Sequence, residues 1–174
     1  MQFDLSSIIR DKTDEQIPIE LEMSQISVND VIYPIAEKKP LDLFLSCKDG
    51  RKLVIRTATE VEFDIPCDRC LTDVHYVIPV EVDFELAIED GKLMNASDEG
   101  VVNFVEGNCL DIDQMIRDEL LLNWPTKVLC KEDCKGLCPI CGQNLNQQEC
   151  GCNRESLDPR MAKFLDVFNQ FKEV

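Results

Sequence analysis

The stretch LDLFLSCKDGRKLVIRTATEVEFDIPCDRC (41–70) decides the fold. Two strand-like runs, LDLFLSCK (41–48) and RKLVIRTATEVEFDIP (51–66), flank the dipeptide Asp49-Gly50. This dipeptide suits a two-residue turn, because both central positions of such a turn need a positive φ. The sequence therefore predicts a β-hairpin that turns at Asp49-Gly50.

Strand patterns lie on both sides of this hairpin. IPIELEMS (17–24) alternates apolar with polar residues, which predicts a strand with one buried face. HYVIPVEVDFELAIE (75–89) follows a turn at residues 67–70, and its acids alternate with apolar residues so that the charge points outward. Pro79 in this run predicts an edge position or a bulge, since proline cannot donate to a neighbouring strand. We therefore expect an antiparallel, β-rich body.

A helix is predicted after these strands, over residues 111–123. Asp111 stands in the N-cap position with Gln114 three residues later, and apolar residues follow at helical spacing. The helix is expected to end at Trp124-Pro125, because the residue before a proline is pushed out of the helical conformation.

The chain is long enough for one domain and an extension. A C-terminal helix is predicted over 159–171, since Asp158 and Pro159 suit its N-cap and first helical position. We assign the fold class α+β: an antiparallel β-rich acidic body over 1–123, followed by a cysteine-rich, zinc-bound tail over 124–174.

Net charge divides the chain at the same place. The formal net charge is −16, and residues 1–123 hold 27 acids and 11 bases, whereas residues 124–174 hold seven of each. This balance disfavours non-specific DNA binding and favours basic partners. One local exception has four bases against the single acid Asp49: Lys48, Arg51, Lys52 and Arg56. This basic cluster is a candidate nucleic-acid or partner contact, or else a solvated hairpin tip.

No segment of the sequence suggests a membrane or export. The longest apolar runs are a handful of residues, far short of the ~20 that span a bilayer. The N-terminus has no basic patch followed by an apolar run, as a secretory signal would. We expect a cytoplasmic protein without a membrane partner.

The ten cysteines carry the strongest chemical signal. In the cytosol, where thiols stay reduced, they are better explained as metal ligands than as disulfides. Eight of them form four close pairs: Cys67/Cys70, Cys130/Cys134, Cys138/Cys141 and Cys150/Cys152. Such pairs suit tetrahedral zinc, and four of them would hold two ions, with one as the minimum. Cys47 and Cys109 are left over and are expected to be small buried residues.

Loop length predicts which pairs share a metal. Only eight residues separate Cys141 from Cys150, so the last two pairs would close one site locally. The Cys67 and Cys130 pairs would then form a long-range site that ties the sheet to the tail. The competing assignment joins Cys130 and Cys134 with Cys138 and Cys141, and it leaves the other two pairs free for redox chemistry.

Four segments resemble the YceD family, which is named for large ribosomal RNA subunit accumulation: CDRC (67–70), DELLLNWP (118–125), LCKEDCKGLCPICGQNLNQQECGC (129–152) and DPRMAKF (158–164). The resemblance implies a bacterial or plastid-type cytoplasmic protein linked to the synthesis, processing or stability of large-subunit (23S) ribosomal RNA. It carries over no catalytic residues and no RNA contacts.

The sequence favours a protein that is not an enzyme. Its one histidine, His75, lies in a strand-like run, and no phosphate loop or hydrolase motif is present. Our hypothesis is a non-catalytic, zinc-stabilised factor in ribosome biogenesis. Its partner would be the pre-ribosomal large subunit, contacted through RNA or basic ribosomal proteins, without a small-molecule substrate. The alternative is a thiol-based redox switch or zinc-regulated chaperone, and the oligomeric state stays open.

Overall fold

The computed structural model describes residues 1–94, 96–97 and 100–152. It is β-rich, with antiparallel sheets and few helices, and the C-terminal helix predicted over 159–171 lies outside the described residues. In chain order the elements are β1 (Gln2–Asp4), α1 (Ser6–Asp11), β2 (Asp14–Ile19), β3 (Gln25–Val28), β4 (Val31–Lys38), β5 (Leu41–Lys48), β6 (Lys52–Pro66), β7 (Asp73–Glu89), β8 (Lys92–Leu93), β9 (Ala96–Ser97), β10 (Gly100–Val101), β11 (Val105–Glu106), β12 (Cys109–Asp111) and α2 (Ile112–Leu122).

The predicted hairpin is confirmed as the centre of the main sheet. β5 and β6 pair antiparallel, and the amide of Arg51 donates to the carbonyl of Lys48 at 3.0 Å across the turn. Asp49 and Gly50 have φ values of 53° and 66°, as the dipeptide predicts. β6 then pairs with β7 along its whole length, so these two long strands form a second hairpin whose loop contains the CDRC sequence.

The main sheet is built around β6. On one side of β6, β5 pairs with its first half and β4 with its second half, and β2 and β3 extend the sheet from these strands. β7 occupies the other side and continues to β8. Pro79 pairs across to Glu60, and within the described residues β7 has a second neighbouring strand only at Ile88 and Glu89. Pro79 therefore sits at a sheet edge, which is one of its two predicted positions.

One prediction about the strands needs correction. The run 17–24 does bury Ile19, Leu21 and Met23, but β2 ends at Ile19. After that point the carboxylate of Asp113, in α2, accepts hydrogen bonds from the amides of Glu22 and Met23 at 3.1 and 3.2 Å. The helix thus satisfies backbone groups that a neighbouring strand would otherwise pair, and the alternating burial continues without a strand.

Helix α2 forms where it was predicted and leads the chain to the tail. The carboxylate of Asp111 accepts from the amide of Gln114 at 3.1 Å, which caps the first turn. Just beyond the helix, the ring of Trp124 packs against Tyr33 and Phe63, at centroid distances of 4.9 and 5.1 Å. The start of the tail is therefore fixed against the sheet. No helix of the described residues is both long and apolar enough to cross a membrane.

Candidate metal centre

The CDRC loop (67–72) joins β6 to β7 and turns two cysteines towards one point. The amide of Cys67 donates to the carbonyl of Thr72, and the amide of Leu71 donates to the carbonyl of Cys67, both at 2.9 Å. Leu71 has a φ of 58°, which closes the turn sharply. Cys67 and Cys70 are both buried at this end of the sheet.

The tail folds onto the CDRC loop through backbone and side-chain hydrogen bonds. The Arg69 guanidinium donates to the carbonyl of Cys134 at 2.9 Å, and the amide of Leu137 donates to the carbonyl of Arg69 at 3.0 Å. Between these contacts Gly136 has a φ of 76°, and a β-carbon there would lie 3.0 Å from the Arg69 carbonyl oxygen. A residue without a side chain is therefore needed for this close approach.

These contacts gather a first cluster of four sulfurs from Cys67, Cys70, Cys130 and Cys134, all within 4.8 Å of one another. The Sγ atoms of Cys67 and Cys134 are 3.8 Å apart, and those of Cys70 and Cys130 are 3.5 Å apart. A disulfide needs about 2.05 Å. Four zinc–sulfur bonds of about 2.3 Å in a tetrahedron put the sulfurs about 3.8 Å apart, so this cluster fits zinc.

A second cluster lies further along the tail, where the sulfurs of Cys138, Cys141, Cys150 and Cys152 also lie within 4.8 Å of one another. The amide of Cys138 donates to the carbonyl of Gln143 at 2.8 Å, and the amide of Gly142 donates to the carbonyl of Cys138 at 2.9 Å. Gly142 has a φ of 73°, which lets the chain leave the turn. This cluster also presents four thiol donors of the kind that zinc prefers.

Hydrogen bonds in the first cluster favour the thiolate form of Cys67 and the protonated thiol of Cys130. Burial raises the pKa of Cys67, but the backbone amides of Arg69, Cys130 and Cys70 donate to its sulfur and lower this pKa to about 6. Hydrogen bonding to the Cys70 sulfur, followed by burial, raises the pKa of Cys130 to about 12. A divalent cation at this point would favour the thiolate form of all four ligands, as zinc binding requires.

In the second cluster, too, one thiol has a lowered pKa and another has a raised pKa. The backbone amides of Cys141 and Ile140 lower the pKa of Cys138 to about 6. Hydrogen bonding to the Cys141 sulfur, followed by burial, raises the pKa of Cys152 to about 12. In both clusters a pKa of about 6 therefore belongs to the first cysteine of a CxxC turn, whose amides point at its sulfur. In the first cluster the pKa of Cys70 is lowered as well, chiefly by its hydrogen bond with Thr72.

The structure groups the eight cysteines by the pairing that loop length predicts, and the competing assignment does not occur. Cys47 is buried as expected, whereas Cys109 is only half-buried. Neither joins a cluster that could hold a metal ion within the residues that the structure describes.

Comparison with protein families assigns this chain to one of them. The family model of the large ribosomal RNA subunit accumulation protein YceD matches residues 55–168, a range that contains all eight clustered cysteines. The chain belongs to the YceD family. No solved structure matches it.

Three individual proteins show how similar this chain is to its relatives and how much of each chain the similarity covers. An uncharacterized protein of Mycobacterium tuberculosis is 33% identical over 128 residues, which cover 73% of this chain and 61% of the relative. The uncharacterized protein YlbN of Bacillus subtilis is 28% identical over 116 residues, 64% of each chain. The chloroplastic large ribosomal RNA subunit accumulation protein YCED homolog 1 of Arabidopsis thaliana is 43% identical over 49 residues, 28% of this chain and 15% of the relative. The chain thus spans less than two thirds of the mycobacterial relative.

The basic cluster of this YceD chain is placed against acids of β7. The ammonium groups of Lys48 and Lys52 lie 3.0 and 2.9 Å from the carboxylate of Glu85, whose pKa their hydrogen bonds lower to about 2. The Arg56 guanidinium lies 3.0 Å from Asp83. Arg51 is exposed and forms no ion pair with any described residue. Three of the four bases therefore already form ion pairs, with two carboxylates between them, and a contact with RNA or a partner at this cluster stays a prediction.

Sequence reasoning missed the polar residues that surround the first cluster. Asn146 donates from its side chain to the Cys134 sulfur at 3.3 Å, and the Thr72 hydroxyl oxygen lies 3.4 Å from the Cys70 sulfur. The sequence does contain two asparagines in NLN (144–146), between the two ligand pairs of the second cluster, and these could have suggested donors to the sulfurs. Nothing in the sequence marks Thr72 in this way.

Proposed function

We propose that this YceD-family chain is a non-catalytic cytoplasmic factor that supports the accumulation of large-subunit ribosomal RNA, through its synthesis, processing or stability during ribosome biogenesis. The observation that carries the proposal is the family match over residues 55–168, which includes both cysteine clusters. The Arabidopsis relative, which is named as a large ribosomal RNA subunit accumulation protein, supports it.

Two zinc ions would hold the tail in this proposal. The first cluster would bind one ion and fasten the tail to the CDRC loop, and the second would bind another within the tail. A site with four cysteine ligands is closed, since it leaves no coordination position for water or substrate. The chemistry that zinc supplies here is therefore structural, and we propose no enzymatic step.

The charge of the sheet supports a protein-led contact. Five carboxylates lie on the solvent-facing side of β6 and β7, between the CDRC loop and the middle of the two strands: Glu60, Glu62, Asp64, Asp73 and Glu81. We call this region the acidic end of the sheet. Its charge partners are Lys39, which pairs with Glu60, and His75, whose ring nitrogens lie near two of the other carboxylates. A surplus of negative charge repels RNA and attracts the basic proteins of the large subunit.

Affinity purification of the tagged full chain from its host tests the function. We expect enrichment of large-subunit ribosomal RNA or its precursors over small-subunit RNA when the bound RNA is sequenced. Treatment with ribonuclease before elution should leave basic ribosomal proteins bound, because the proposed contact is to protein. Absence of large-subunit RNA from the untreated sample would refute the proposal.

A charge-reversal pair tests whether the acidic end makes the contact. Asp73→Lys combined with Glu81→Lys should abolish the enrichment. Asp14→Lys combined with Glu20→Lys is the matched control, because it changes the net charge equally at exposed positions of a distant segment. If both double variants lose binding to the same extent, overall charge and not this surface determines the interaction.

A thiol-based redox switch is the second candidate. Cys130 in the first cluster and Cys141 in the second are exposed, so an oxidant would have access to both sites. A switch would release zinc on mild peroxide treatment, which a chromogenic chelator would detect. Retention of both ions at physiological peroxide would exclude it.

A further inference from the structure

The loop that belongs to the second cluster also contacts the first. Residues 142–149 join the two ligand pairs of the second cluster, and Asn146 lies in this loop. Its side-chain amide nitrogen donates to the sulfur of Cys134, a member of the first cluster, at 3.3 Å. Its side-chain oxygen accepts from the amide of Lys135 at 2.9 Å. Asn146 is thus held against the first cluster from both ends of its amide.

A second asparagine extends this contact to the other side of the first cluster. The side-chain nitrogen of Asn144 donates to the hydroxyl of Thr72 at 3.4 Å, and that hydroxyl lies 3.4 Å from the sulfur of Cys70. The side-chain oxygen of Asn144 accepts from both the backbone and the side-chain nitrogen of Asn146, each at 3.0 Å. The two asparagines therefore form one unit that contacts the Cys134 sulfur directly and the Cys70 sulfur through the Thr72 hydroxyl.

The position of this unit depends on the fold of the second cluster. Leu137 and Asn144 form an antiparallel β-bridge. The next residue after Leu137 is Cys138, whose amide donates to the carbonyl of Gln143. The amide of Leu145 donates to the carbonyl of Gly136 at 2.9 Å, and its side chain is buried. A metal bound to the second cluster would fix both ends of the loop and hold the asparagines in place.

We infer that the two metal sites load cooperatively, and that Asn146 is the positioning residue that couples them. Four thiolates on one zinc ion leave a net charge of about −2, so donors to the sulfurs stabilise the complex. Metal at the second site orients the Asn146 amide towards Cys134 and so tightens binding at the first site. Because coupling between two sites is reciprocal, metal at the first site tightens the second equally.

This inference rests on the proposed metal sites and is tested on the full chain. The protein is loaded with cadmium, and the two cadmium resonances are assigned by loss of one in Cys70→Ser and of the other in Cys141→Ser. Competition with a chelator, followed at each resonance, then gives the affinity of each site separately. The comparison uses Asn146→Ala, the double variant Cys141→Ser/Cys152→Ser, and all three changes together.

Asn146→Ala should weaken the first site by about 10-fold and shift its resonance, the size expected for loss of a donor to a ligand. Cys141→Ser/Cys152→Ser should weaken the first site by about the same factor. The triple variant should be no weaker than this double variant, because the asparagine is no longer held in place. Asn146→Asp, which puts a negative oxygen beside the sulfur, should weaken the first site further. Gln148→Ala removes an exposed amide from the same loop and should leave both sites unchanged.

Two results would overturn the coupling and leave the proposed function intact: an unchanged first site in Asn146→Ala, or a triple variant in which the two losses multiply. Absence of bound metal in the wild-type chain would refute the coupling and the metal sites together.

Discussion

The amide of Asp68 donates to the carbonyl of Val128 at 2.9 Å, and the amide of Val128 donates to the carboxylate of Asp68 at 2.7 Å. This reciprocal pair joins the CDRC loop to the tail only two residues before Cys130. The tail is thus attached to the sheet by hydrogen bonds as well as by the sulfurs of the first cluster. We expect these hydrogen bonds to place Cys130 before any metal arrives.

Asp68→Ala should lower the free energy of unfolding by about 1–2 kcal/mol, because it removes a charge-assisted hydrogen bond and leaves the Val128 amide without its acceptor. Urea unfolding with excess zinc measures the change. Glu132→Ala is the matched control, since it removes an exposed carboxylate from the same tail. Equal unfolding free energies for the two variants would contradict the role of Asp68.

Local signals in the sequence predict a large part of this structure. Asp49 and Gly50 fix the hairpin turn because few residue pairs accept two positive φ values, and Asp111 fixes the start of α2 because its carboxylate can cap the helix. Loop length predicts the grouping of the cysteines. In each case the information lies within a few residues, or in the spacing between residues of one type.

What the sequence does not predict depends on contacts between distant elements. Asp113, which is remote in sequence, binds the backbone just beyond the end of β2 at Ile19, and the pairing of Glu85 with two lysines requires the registers of β5, β6 and β7. The contact between Asn146 and Cys134 exists only after two loops have folded together. No periodicity or motif encodes such contacts.

The wild-type chain should bind two zinc ions, and a ligand substitution in either cluster should leave one. Cys70→Ser should remove the ion from the first cluster, and Cys141→Ser the ion from the second, because a tetrahedral thiolate site loses most of its affinity with one ligand. Elemental analysis of purified protein gives the stoichiometry. Cys47→Ser is the control and should retain two ions. A wild-type value of one would refute the two-site assignment.

Gly136→Ala should destabilise the protein by about 2 kcal/mol, through its positive φ and the 3.0 Å approach of a β-carbon to the Arg69 carbonyl oxygen. Gly142→Ala has a comparable φ but open space around it, so only about 1 kcal/mol is expected. Gly151→Ala has neither feature and should be neutral. Thermal unfolding of the three variants under equal zinc concentration checks this order. An equal loss for Gly136→Ala and Gly142→Ala would show that the close approach is unimportant.

The buried carboxylate of Asp113 should make stability depend on pH. Burial raises its pKa, but hydrogen bonds from the N-terminal ammonium and from the amides of Met23 and Glu22 outweigh this and lower it below the usual value. A lowered folded-state pKa stabilises the protein above about pH 4, and the stabilisation is lost as the pH falls further. Wild type should therefore exceed Asp113→Asn in unfolding free energy by about 1–3 kcal/mol near neutral pH. This difference should shrink below about pH 4, and a difference that is constant down to pH values near 2 would contradict the assignment.

Zinc removal should loosen the CDRC loop without releasing the start of the tail from the sheet. Trp124 is the single tryptophan of the chain, and its ring contacts Tyr33 and Phe63 and packs against the main hydrophobic core. Its ring stays partly shielded from water as long as these aromatic contacts persist. Addition of a strong chelator should therefore leave the emission maximum of Trp124 nearly unchanged, whereas urea should shift it to longer wavelength. Hydrogen exchange at the Cys67 and Leu71 amides, which are bonded within the loop, should increase on chelation. A chelator-induced emission shift as large as that in urea would show that zinc holds the whole junction and that the aromatic contacts do not.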